Sequence, residues 1–269
     1  VYLHGYGQSR MGWMTTPDGR EGWSDLFLKK GYPAFLVDQP RRGEAGATVQ
    51  MTTDGFLDAW SAESKAYKPG DQAWYTHFRI GRTAPERYEG SQFPEGAEAQ
   101  DQFFRQMTPN TGDYDQEIDA AALSEVMKDV YTMTGDKSVF VTHSQGGAVG
   151  WDVDMDYVSA IVAVEPGGTP EIGSEQYQKL LDAKIPVMIL FGDYIDNGPA
   201  DIRSTDFWKS VRDGAVGFAE SYNAAGGDCM VVNLPDIGVT GNSHFLFQEE
   251  NNGLIADYVA AWLESKGLN

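Results

Sequence analysis

The chain has 269 residues, of which 41% are hydrophobic and 12% aromatic, enough to build one large α/β domain and too apolar for a disordered chain. Its formal net charge of −20 argues against nucleic acid or an anionic membrane surface as partner, because both would be repelled. The single cysteine, Cys229, excludes an internal disulfide and a thiolate metal cluster, and no apolar run approaches the ~18 residues of a transmembrane helix.

Val1-Tyr2-Leu3-His4-Gly5 opens the chain without a Met, in the middle of what reads as a core strand. The sequence is therefore expected to lack its natural N-terminus, and the compartment cannot be read from such a start. Tyr2-Leu3-His4-Gly5-Tyr6-Gly7 is a strand end followed by a glycine-rich turn, the arrangement with which many serine hydrolases form half of an oxyanion hole. Trp23 to Gly31 reads as a short amphipathic helix with lysines in its last turn and a glycine stop. Ala34 to Asp38 is the next strand. Strand, helix, strand is a right-handed crossover, which implies a parallel sheet.

Residues from about Glu44 to Gly112 break this rhythm. The stretch carries ten large aromatics, Trp60, Trp74 and Phe78 among them, and four prolines. It is far longer than one crossover helix requires. It reads as an insertion folding over the C-terminal edge of the sheet, either as a lid or as a structural excursion. As a lid, its aromatics Trp60, Trp74 and Phe78 would line an apolar substrate pocket. Ile118 to Val130 follows with helical spacing that puts Ile118, Ala122, Val126 and Val130 on one face.

Ser138-Val-Phe-Val-Thr-His-Ser-Gln-Gly-Gly-Ala-Val-Gly150 organises the chain. A buried β-branched run leads through a tight turn holding Ser144 into a small-residue helix start. Those are the three parts of a nucleophile elbow: strand, exposed serine, and helix N-terminus beside developing negative charge. The usual motif has glycine two residues before the serine, and here that position is Thr142. Val158 to Val164 is another strand, ending in Glu165-Pro166-Gly167. Ile185 to Phe191 repeats the design and ends near Asp193 and Asp196. A helix around Asp206 to Ala224, a last strand from Cys229, the loop Gly241-Asn242-Ser243-His244 and a helix from Ile255 to Ser265 complete a single domain over residues 1–269.

A serine nucleophile needs a base, and the chain offers four histidines. His4 lies in the glycine turn, His77 in the insertion, and His143 beside the serine, from which its side chain diverges. His244 follows the last strand, in the chain order Ser, acid, His expected of a fold with such an elbow. The acid is open among Glu165, Asp193 and Asp196, which all end strands between Ser144 and His244. Glu165 ends the strand next to the elbow, where a longer side chain would suit the greater reach to His244.

These features resemble the α/β-hydrolase superfamily, with a mostly parallel central sheet and helices on both faces. More narrowly, they resemble a small branch of bacterial esterases. The likeness lies in the strand-HG turn, Thr15-Thr16-Pro17-Asp18-Gly19-Arg20, Gly22-Trp23, Phe27-Leu28 and Gly31-Tyr32. It continues in His143-Ser144-Gln145, Val164-Glu165-Pro166-Gly167, Phe191-Gly192-Asp193 and Gly241-Asn242-Ser243-His244, and it is weakest in the insertion. The resemblance implies a catalytic set of Ser144, His244 and Glu165, and oxyanion donors at Tyr6 and Gln145. It implies no cofactor and no metal, a small-molecule ester as partner, and a secreted or periplasmic setting. The expected reaction is carboxylic ester hydrolysis through an acyl-enzyme, on hydrophobic or aromatic esters. A lactonase, epimerase or C–C hydrolase using the same site, or a non-catalytic ligand-binding protein on the same fold, are the alternatives.

Overall fold

Apolar β-branched runs separated by helices build one parallel sheet. Its strands are β1 (Tyr2–Leu3), β2 (Leu36–Val37), β3 (Ser138–His143), β4 (Val158–Val164), β5 (Pro186–Phe191) and β6 (Asp228–Asn233), in the order β2-β1-β3-β4-β5-β6. The computed structural model describes residues 1–46, 70–111 and 114–269. Trp60 lies outside the described residues.

Alternate side chains of the strands enter two separate cores, as a sheet covered on both faces requires. Leu3, Phe140, Ile161, Ala163, Val187, Ile189 and Phe191 face one core. Tyr2, Val141, Val162, Val164, Met188 and Leu190 face the other. The first core is closed by α4 (Gln116–Thr134), α6 (Glu175–Ala183) and α7 (Arg203–Ala224). The second is closed by α1 (Trp23–Lys29) and α8 (Asn252–Ser265), with α2 (Asp71–His77) and α3 (Ala97–Arg105) adding aromatic side chains. The remaining short helix, α5 (Gln145–Gly150), follows β3 directly.

Local chemistry fixes the ends of α4. The Asp115 side chain caps its start by accepting from Ile118 N–H, and Gly135 ends it with φ +82°. Its buried face is Asp119, Ala120, Leu123, Met127 and Val130. The face expected from spacing is therefore corrected: Ile118 and Ala122 point outward, and Ile118 is 44% exposed. The burial of Asp119 moves the inward stripe by one residue. Asp119 lies 3.6 Å from the buried Arg42 guanidinium, so a polar contact decides where a hydrophobic count does not.

The register of the central strands places the site. His143 pairs with Val164, and Val164 with Leu190, so β3, β4 and β5 end in step. Ser144 N–H donates to Val164 O at 3.1 Å, and Glu165 N–H donates to Leu190 O at 2.8 Å. Ser144, Glu165 and Gly192 thus leave neighbouring strands at the same edge of the sheet, where α/β folds bind their ligands.

Candidate active site

Ser144 has φ +54° and ψ −119°, a conformation a residue with a side chain adopts only where its surroundings impose it. β3 delivers the chain into this turn, and α5 takes it away. Close approach makes the turn possible. A Cβ on Gly146 would lie 2.4 Å from His4 O, so only glycine lets the elbow press against the HG turn. Thr142 takes the place of the usual glycine because room is made on the facing helix. A Cβ on Gly150 would stand 3.0 Å from its Cγ2.

His244 is wholly buried and held on every side. Its backbone N–H donates to Phe78 O at 3.0 Å, and its carbonyl accepts from His143 Nε2 at 3.0 Å. Its ring stacks on Phe78 at 4.6 Å between centroids and lies 4.3 Å from Trp208. Nδ1 donates to Glu165 Oε2 at 2.9 Å. The proton is therefore on Nδ1, and Nε2, which has no hydrogen-bond partner among the described residues, carries the basic lone pair.

Glu165 is also fully buried, with φ +46°. Its Oε1 accepts from Gly192 N–H at 2.6 Å and from Arg79 Nη2 at 2.5 Å. Burial alone would push its pKa up. The Arg79 charge, then the hydrogen bond and charge of His244, outweigh burial and bring it to about 2. Burial likewise lowers the His244 pKa. The bond and charge of Glu165 oppose that shift, and Arg79 adds to it.

The other candidates are engaged elsewhere. The Asp193 carboxylate accepts from Tyr194 N–H and Gly241 N–H, at 2.7 and 2.8 Å. Asp196 is exposed and paired with Arg212 and Lys209. His4 donates from Nδ1 to Gly5 O at 2.8 Å and accepts at Nε2 from Gln39 N–H at 3.1 Å. Burial lowers its pKa to about 4 against the pull of Gly5 and Asp38. His143 has its Nδ1 2.7 Å from the Gln8 amide. His77 is exposed at the end of α2.

Tyr6, in the turn after β1, and Gln145, the first residue of α5, are both half-buried. Phe78 touches His244 directly. Trp74, 1% exposed, lies behind it against Phe103, Phe245 and Phe78. Sequence reasoning missed Arg79 and Trp208. Arg79 sits one residue beyond Phe78 and Trp208 is a core position of α7, and neither carries a motif.

No known family profile matches the chain. A protein named "Probable secreted lipase phiG", from Fungal sp. (strain ATCC 74256), is 25% identical over 317 aligned residues, covering 99% of this chain and 81% of its own. A solved structure described as the atomic-resolution structure of a novel bacterial esterase superposes with a TM-score of 0.81 and 30% identity, covering 98% of this chain and 80% of that one. With a parallel sheet in this strand order and a likeness of that extent, the chain belongs to the α/β-hydrolase superfamily, in the company of that bacterial esterase.

Proposed function

We propose that the protein is a carboxylic ester hydrolase working through Ser144, His244 and Glu165. One observation carries the reading. His244 binds Glu165 through Nδ1 in a fully buried pair and keeps Nε2 without a partner, while Ser144 occupies a strained turn at the end of the adjoining strand.

In the proposed reaction, His244 Nε2 takes the Ser144 proton as the hydroxyl attacks the ester carbonyl. Glu165 keeps the imidazole in the Nδ1–H tautomer and stabilises the imidazolium that forms. The backbone N–H groups of Tyr6 and Gln145 receive the oxyanion. His244 returns the proton to the departing alcohol, and the same groups activate water to release the acid.

The names of both relatives support an ester as substrate. Phe78 and Trp208, flanking His244, support an apolar one, and Trp74 backs this wall. Residues about 44–112 are proposed as the insertion that walls the site. Among the described residues it is tied down through Phe78 O to His244 N–H and through Gln92 N–H to Gly241 O. Secretion is supported by the fungal relative's name, and no helix among the described residues is long and apolar enough to cross a membrane.

Hydrolysis of a p-nitrophenyl ester by Ser144→Ala tests the reading. Turnover should fall by several orders of magnitude with the fold intact, since members of such a set act as a unit. Wild-type turnover in the folded variant would refute it.

A further inference from the structure

The two oxygens of Glu165 are held by different partners. Oε2 meets His244 Nδ1 at 2.9 Å, while Oε1 is taken by Arg79 Nη2 at 2.5 Å and Gly192 N–H at 2.6 Å. Arg79 is itself fixed. Its Nε donates to Asp193 O at 2.9 Å, and its guanidinium carbon lies 5.3 Å from the Trp208 ring centre. It is 3% exposed and has φ +63°, so the chain accepts backbone strain to bring a cation here.

We infer that Arg79 is a positioning residue for the hydrolysis: it occupies Oε1 so that Oε2 alone faces His244, and its charge sets the pH at which His244 becomes a base. The inference rests on the proposed roles of Ser144, His244 and Glu165.

With Arg79 present, the buried Glu165–His244 pair and the guanidinium sum to zero when His244 is neutral, and a bound proton makes the group a net buried cation. Without Arg79 the pair begins as a net buried anion, and a proton neutralises it. Proton uptake on the coupled pair is therefore easier without Arg79.

Other titratable groups face this cluster from each neighbouring element. His143 comes from β3, its ring 4.4 Å from His244. Asp193 follows β5 and is bonded to Gly241 and Tyr194. Glu249 lies behind the His244 loop on Ser243 N–H. Tyr88 lies tilted against Tyr194, with ring centroids 4.9 Å apart. Among the described residues the carboxylate oxygens of Glu165 bond to Arg79, Gly192 and His244 and to none of these groups, so Arg79 is the cation that balances Glu165.

The test is the pH profile of kcat/KM on a neutral p-nitrophenyl ester for wild type, Arg79→Met, Arg79→Lys and Ser144→Ala. Arg79→Met should move the midpoint of the acid limb upward by about one unit and lower the plateau roughly 10- to 100-fold. Arg79→Lys keeps the charge and should restore most of the midpoint while leaving the plateau reduced. A residue acting through Glu165 should add little once Glu165 is neutral. The double variant Arg79→Met, Glu165→Gln should therefore be no slower than Glu165→Gln alone. If Arg79→Met does not fold, the double variant, which removes both charges, should fold. Failure of the double variant to fold while Glu165→Gln folds would make Arg79 a structural anchor and overturn the inference. An unmoved acid limb in folded Arg79→Met would overturn it too. Hydrolysis by Ser144→Ala would instead refute the proposed mechanism, whatever Arg79 does.

Discussion

At the scale of single residues, the choice of acid follows from what each carboxylate touches. Glu165 is spent on His244, Gly192 and Arg79, whereas half-exposed Asp196 forms a surface pair with Arg212 and Lys209. Glu165→Gln should lower kcat by on the order of 10⁴. Asp196→Asn should leave turnover within about twofold, since exposed pairs are worth little. Near-normal turnover in the first with collapse in the second would move the acid to the later strand. The pH response follows from His244. Its pKa is pushed below the ordinary 6.5 chiefly by burial, with Glu165 pulling the other way. In the proposed reaction the base is the neutral form, so kcat/KM should fall on acidification only through a midpoint below 6.5. A limb centred above that value would mean that Glu165 outweighs burial. The two aromatics should also separate. Phe78→Ala opens the wall against His244 and should change the ratio of kcat/KM between short and bulky esters. Trp74→Ala, deep in the core, should cost about 3–5 kcal/mol of stability, readable by urea denaturation.

At the scale of elements, the loop that presents His244 rests on an acid that the proposed reaction does not use. Glu249, wholly buried, accepts from Ser243 N–H at 2.9 and 3.0 Å and from Asn242 Nδ2 at 2.8 Å. Burial raises its pKa from 4.5 to about 7, against the pull of those hydrogen bonds. The folded state therefore holds this proton more tightly than the unfolded chain does. The stability so gained is fully present below 4.5 and is lost as pH rises to about 7, a swing of roughly 3 kcal/mol. Denaturation of wild type and Glu249→Gln across that window should diverge by about this amount, and parallel curves would contradict it. Much of the fold and part of the site could be read from the chain. β3, β4 and β5 are built on the short apolar runs 139–141, 160–164 and 187–191, and the residues that follow them, Ser144, Glu165 and the Gly192-Asp193 pair, are marked by the turns they open. The acid stayed open in the sequence because three carboxylates end strands, and only tertiary contact distinguishes them. Arg79 was illegible for the same reason: its partner is 86 positions away and nothing local requires a cation there. Spacing misplaces the inward face of α4 because buried Asp119 counts as polar in any periodicity.

At the scale of the molecule, a net charge of −20 predicts effects of salt on stability and on the approach of charged substrates. Like charges on a folded surface repel one another and are screened by salt. Melting temperature should therefore rise with added NaCl at pH 7. An ester carrying a carboxylate should be hydrolysed severalfold more slowly than its neutral isostere at low ionic strength, with the gap narrowing as salt is added. A gap independent of salt would place the discrimination in the pocket and not in the overall field. The proposed reaction depends on one group, the Ser144 hydroxyl in its strained turn at the end of β3. Treatment with a fluorophosphonate, followed by mass spectrometry of the peptides, tests it most directly. A single adduct on Ser144, formed at a rate that falls sharply in His244→Ala, is the predicted result. An unlabelled protein that still hydrolyses esters, or an adduct on another serine, would contradict it.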